Sequence, residues 1–307
     1  MTRSPLCITE RRRTRVAAPL ATLSIVATLL LAGTPASGSS PSNAPSESPG
    51  RHWTYVALGD SSGYGAADCG GCTPYPVVLA ERITADTGIP VELHNLTQHN
   101  SLTTTVLLQQ IRANAVIGTD PSLPRDAGEM ASGAAAQEPV RDAIAGADII
   151  TIDVGFNDVL AALGGPPDYG CGGTFDATCI ESVVTPIAAN IEAIMAEIDL
   201  LRDGRPTMVR ILGGSDGWTD DVGVAPEVNA ARAEGTLALV RAQDAAYCSI
   251  ATAHHALCVD MFHIFNGPAG SLPQDMSYVD PQGGHPNQKG QDAYAAAIAA
   301  LGYAPLD

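Results

Sequence analysis

From Trp53 onward, short apolar β-forming runs alternate with segments whose apolar residues recur every three or four positions. The runs 53–59, 91–96, 148–154, 207–213 and 257–262 predict strands, and 75–87, 102–115, 180–203, 226–252 and 287–301 predict helices. The clearest helix is 180–203, where Val183, Ile187, Ile191, Ile194 and Ile198 share one face. Strict β–α alternation predicts a parallel sheet, because parallel neighbours need a crossover and the crossover helices cover both faces. The stretches 116–138, 164–179 and 213–226 carry Gly, Pro, Asp and Ser without periodicity. They read as loops rimming whatever site exists.

Ahead of Trp53 the pattern changes. Arg11, Arg12, Arg13 and Arg15 precede an apolar run, Val16 to Gly33, and small residues follow through Gly38. A charged start, an apolar middle and a small-residue exit make a secretory signal peptide. The run is near the lower length limit for a membrane span, but the internal Pro19 and the small-residue exit favour cleavage over a stable membrane anchor. The expected organisation is a signal peptide over 1–38, a disordered Pro/Ser/Gly-rich linker over 39–51 and one domain over 52–307.

Loss of residues 1–38 removes five arginines and one glutamate, moving the formal charge from −17 to −21. So acidic a chain is repelled by nucleic acid and by anionic lipid surfaces, and neither is expected as a partner. Cys7 leaves with the signal, and Cys69, Cys72, Cys171, Cys179, Cys248 and Cys258 remain. An even number in an exported chain implies disulfides. Proximity in sequence favours 69–72, 171–179 and 248–258, with other connectivities open.

Three places carry candidate chemistry. Tyr55 to Gly59 is an apolar strand that gives way at once to Asp60-Ser61-Ser62-Gly63. In open α/β sheets the carboxyl end of a strand is where ligands bind, and a serine there presents its hydroxyl to a cleft. A second strand ends in Gly155-Phe156-Asn157-Asp158, where the Asn157 amide can donate to a developing oxyanion or simply cap a helix. Near the C-terminus, His285 sits in the Gly/Pro loop Asp280-Pro281-Gln282-Gly283-Gly284-His285-Pro286 before the last predicted helix. A serine hydroxyl needs a base to become a nucleophile, and imidazole suits neutral pH. Taken singly, each has a bland reading as turn, cap or surface histidine.

Together, in this order, Gly59-Asp60-Ser61, Gly155-Phe156-Asn157-Asp158 and His285-Pro286 resemble the motifs of the GDSL, or SGNH, family of serine hydrolases. The resemblance implies a flavodoxin-like three-layer α/β/α sandwich that hydrolyses esters with no metal or cofactor. It makes Ser61 the nucleophile and an oxyanion donor through its N–H, Asn157 the side-chain oxyanion donor, and His285 the general base and then general acid. Two departures stand out. Asn100 falls where the family has an oxyanion-hole glycine. The acid usually three residues before the histidine is replaced by Gln282, so Asp280 is the expected partner of His285, with Gln282 or a backbone carbonyl as alternatives.

The expected protein is thus a secreted, monomeric serine esterase or lipase acting on a small-molecule or lipid ester, with acyl esters of modest chain length preferred. Phospholipid esters and acetylated polysaccharide are alternatives. Two rival classes remain: thiol–disulfide exchange at Cys69-Gly70-Gly71-Cys72, and a binding module that kept the fold and lost the activity.

Overall fold

The computed structural model describes residues 51–64, 71–99, 101–117, 138–163, 175–217, 225–280 and 284–306. All of them belong to the compact unit Pro49–Asp307. The signal peptide and nearly all of the linker, and also Cys69, Asn100, Cys171 and Gln282, lie outside the described residues.

Five parallel strands form the main sheet: β1 (Trp53–Gly59), β2 (Val91–Thr97), β5 (Ile149–Asp153), β6 (Met208–Leu212) and β7 (Leu257–Val259). Their spatial order is β2-β1-β5-β6-β7, a doubly wound order that agrees with the flavodoxin-like sandwich implied by the family resemblance. The order reverses at β1, so a crevice opens at its carboxyl end. A small antiparallel ladder, β3 (Val116–Ile117) with β4 (Glu138–Pro139), joins the two ends of a stretch read from sequence as loop.

The predicted helices are present as α1 (Tyr75–Thr87), α2 (Thr104–Ala113), α5 (Ala177–Arg202), α6 (Pro226–Ala253) and α8 (Gln288–Ala300). Three shorter ones join them: α3 (Val140–Gly146), α4 (Phe156–Leu163) and α7 (Phe262–Phe265). Helix α5 starts ahead of its apolar stripe because the Asp176 carboxylate accepts from Cys179 N–H and caps the first turn.

Successive β1 residues point to opposite faces and so build two cores. Val56 and Leu58 pack with α2, α3, α5 and α6, whereas Tyr55 and Ala57 pack with α1 and α8. That is a three-layer sandwich whose inner strands β1, β5 and β6 are buried on both sides, which is why they read as mostly apolar runs. Cys248 and Cys258 form the expected disulfide, tying α6 to β7. Cys72 and Cys179 are also disulfide-bonded, with partners outside the described residues.

Candidate active site

Asp60 follows β1 directly, and its N–H donates to Asp153 O (2.9 Å) at the end of β5. Its Oδ1 accepts from Ser62 N–H (3.1 Å), closing the 3-10 turn Ser61–Gly63 that carries Ser61. Gly59, between Thr97 and Asp153 in register, has no room for a side chain because a Cβ would run into Asp153 O. The strand therefore has to end in glycine for the turn to sit this close to its neighbour.

The loop of His285 returns to the same edge. Val279 and Pro286 form an antiparallel bridge, Asp280 N–H donates to His285 O (2.7 Å), and Gly284 N–H donates to Asp280 O (3.0 Å). Asn287 then caps α8 through Gly290 N–H (3.2 Å) while its Nδ2 donates to Ser277 O and Val279 O. Residues 224 apart in sequence thus meet, with His285 Nε2 2.9 Å from Ser61 Oγ. That is hydrogen-bond distance for proton transfer from the hydroxyl to the ring.

Asn157 lies in the second position of α4 rather than at a cap. It lines the same cavity as Ser61, and its Nδ2 donates to Leu102 O (3.1 Å) and more weakly to Asp60 Oδ2 (3.4 Å). The neighbouring Asp158 does structural work. Its carboxylate accepts from Thr104 N–H (2.8 Å) and Thr104 Oγ1–H (2.6 Å), placing negative charge at the start of α2, where the helix dipole favours it. Gly155, with φ of 127°, passes beneath Tyr247, whose hydroxyl donates to Val154 O (2.7 Å) and leaves no space for a Cβ. Among the described residues just beyond β2, Ser101 is left-handed, with φ of 49°.

These elements enclose a cavity of about 530 Å³ at the carboxyl edge of the sheet. Ser61, Asp153, Asn157 and His285 are among its polar lining residues, and Val154, Val159, Leu239 and Val240 among its apolar ones. Phe156 (54 % exposed) and Leu160 (49 % exposed) form its rim.

Sequence reasoning missed Gln291. Only 2 % exposed, its Nε2 donates to Ser62 O (2.9 Å) and Pro286 O (3.2 Å), and its Oε1 accepts from Tyr75 N–H (2.7 Å). One amide bridges the serine turn and the histidine loop. The available signal was a glutamine on the buried face of the last helix. It also missed Asp153, a carboxyl at the end of an otherwise apolar strand. Burial, and then the nearby Asp60 carboxylate, hold Asp153 well above the usual carboxylate range.

The fold is thus a doubly wound parallel sheet with a partly polar cavity at its carboxyl edge, the place where open α/β sheets hold their ligands. The chain belongs to the GDSL-like lipase/acylhydrolase family, whose sequence model matches residues 57–293. Among solved structures, a lipase from a goat rumen metagenome aligns with a TM-score of 0.58 at 18 % identity, covering 83 % of this chain and 100 % of that one. The extracellular lipase of Streptomyces rimosus aligns at 0.44 and 17 % identity, covering 81 % and 99 %. An acetylxylan esterase of Geobacillus stearothermophilus aligns at 0.47 and 14 % identity, covering 82 % and 94 %. A search of curated proteins found no match.

Proposed function

We propose that this hydrolase is a secreted serine esterase or lipase in which Ser61 attacks an ester carbonyl and His285 takes the hydroxyl proton. The observation that carries the reading is the 2.9 Å contact between Ser61 Oγ and His285 Nε2, both of which line the cavity. Attack expels the alcohol, protonated by His285, and leaves an acyl-enzyme on Ser61. His285 then activates water to release the acid.

The tetrahedral oxyanion needs preorganised donors. The Ser61 N–H makes no hydrogen bond among the described residues, which leaves it for that charge. Asn157 joins it by releasing its longer contact to Asp60 (3.4 Å) as the oxyanion forms. Asn100 is the third donor carried over from the family pattern. Asp280 orients His285; its main-chain hydrogen bond to His285 O supports the pairing by keeping the two residues side by side.

The substrate in this reading is an acyl ester of modest chain length. A cavity of about 530 Å³ with aliphatic lining residues suits such an acyl group. Secretion is supported by the apolar N-terminal run and by the disulfide Cys248–Cys258, since structural disulfides persist in oxidising compartments.

Turnover of p-nitrophenyl esters of increasing chain length tests the assignment. Ser61→Ala should fold normally and lose several orders of magnitude in rate, and Asp280→Asn should lose a large part of it, up to ~10⁴-fold by analogy with other triads. A Ser61→Ala protein as fast as wild type removes the nucleophile. A fully active Asp280→Asn reduces the triad to a Ser–His dyad.

A further inference from the structure

Asp153 has no place in the mechanism so far, yet it lines the cavity with Ser61 and His285. It ends β5 directly opposite Gly59, and its own carbonyl receives the N–H of Asp60. Its side chain is on the face of the sheet that carries Tyr55, Tyr75 and Tyr294, the α1/α8 side, from which Val279 and Tyr294 also reach the cavity. No described residue hydrogen-bonds to either carboxyl oxygen. Oδ2 is sealed from solvent, so the 8 % of the residue that remains exposed leaves Oδ1 as the oxygen facing the cavity.

A buried carboxyl without partners is costly in either protonation state, and far more so when ionised. The groups around it add no cation that would hold a charge. Asp60 on the loop after β1 repels it, and the hydroxyls of Tyr55 on β1, Tyr75 on α1 and Tyr294 on α8 are held neutral, first by burial and also by the Asp153 charge itself. The other titratable groups lining the cavity are His285 in the loop before α8, His99 after β2 and Asp216 after β6. Such surroundings keep the acid protonated, and a protonated acid is a donor. An ester offers only acceptors.

We propose that Asp153 binds the substrate, donating its carboxylic O–H into the cavity to an oxygen of the ester. The site then selects neutral oxygen esters, because an anionic group placed there would face Asp60 and, once ionised, Asp153 as well. This inference rests on the Ser61 reading for the identity of the ligand.

The experiment measures kcat and KM on a p-nitrophenyl ester from neutral to alkaline pH, for wild type, Asp153→Leu and Asp153→Asn. It adds the equilibrium affinity of a non-hydrolysable alkyl ketone analogue for the same proteins on a Ser61→Ala background. Losing one neutral hydrogen bond should raise KM and the analogue's Kd about tenfold in Asp153→Leu, with a much smaller change in kcat. Asp153→Asn, which keeps a neutral donor, should recover most of that loss. It should also lack the alkaline rise in KM that ionisation of Asp153 gives the wild type. Wild-type affinity in a folded Asp153→Leu, or an alkaline rise that persists in Asp153→Asn, overturns the proposal. A wild type that binds the analogue through Asp153 but hydrolyses nothing instead defeats the Ser61 reading and leaves Asp153 as a binding group.

Discussion

The Gln291 amide donates to Ser62 O and Pro286 O while its oxygen accepts from Tyr75 N–H, so a single buried side chain ties α8 to both the serine turn and the histidine loop. Its effect on rate comes through Ser61 and His285, whose 2.9 Å contact depends on the two loops keeping their spacing. Gln291→Leu leaves two carbonyls and one N–H unsatisfied in the core, at roughly 1–3 kcal/mol each as an upper limit. Displacement of the pair by about 1 Å is enough to lower kcat ~10²-fold with KM little changed. Steady-state kinetics beside a melting curve decide the point. A lowered Tm with unchanged kcat would make Gln291 structural only. At this scale the sequence exposes residues that sit in turn motifs, as Ser61, Asn157 and His285 do. It conceals Gln291 and Asp153, whose importance lies in what they meet across the fold and not in their neighbours in the chain.

At the scale of elements, helix α6 brings a second, half-buried acid to the edge of the sheet. Asp244 Oδ1 accepts from Gly214 N–H (2.8 Å) and sits where a side chain on Gly213 would have to go. Burial pushes Asp244 up to about 7; the Gly214 N–H and His263 pull it down, and Asp260 pushes it further up. An unfolded aspartate titrates near ~4, so the folded state keeps this proton over a range where the unfolded chain has lost it. The resulting stability is fully present below about pH 4 and is lost as pH rises through about 7. Asp244→Asn removes that dependence. Its Tm relative to wild type should therefore climb by several degrees between pH ~4 and ~7, and parallel Tm profiles for the two proteins would contradict the account.

The elements themselves were largely legible, because each long helix needs an apolar stripe and each buried strand an apolar run. Helices α3, α4 and α7 escaped, since about two turns or fewer give too little periodicity to separate them from loop. The β3–β4 ladder escaped because two-residue strands carry no alternation. The predicted strand 257–262 stops at Val259, since Phe262 and Phe265 belong to a short helix buried under α8 and not to the sheet.

For the whole molecule, the doubly wound order sets the location of chemistry. Reversal at β1 puts the ends of β1 and β5 beside each other, and the loop before α8 closes over the same edge. Ser61, Asp153, Asn157 and His285 converge for that reason, although they span most of the domain sequence. The formal charge of −17, with Asp60 next to Ser61 and Asp216 lining the cavity, favours neutral substrates over anionic ones.

Covalent labelling with a fluorophosphonate, followed by mass mapping of the modified peptide, tests whether Ser61 is a nucleophile activated by His285. The phosphonyl group bonds to an activated serine oxygen as fluoride leaves, so it reports nucleophile and base together. One adduct is expected, on Ser61, forming far more slowly in His285→Ala and absent from Ser61→Ala. An adduct on another residue, or equal labelling of wild type and Ser61→Ala, would contradict that role for Ser61.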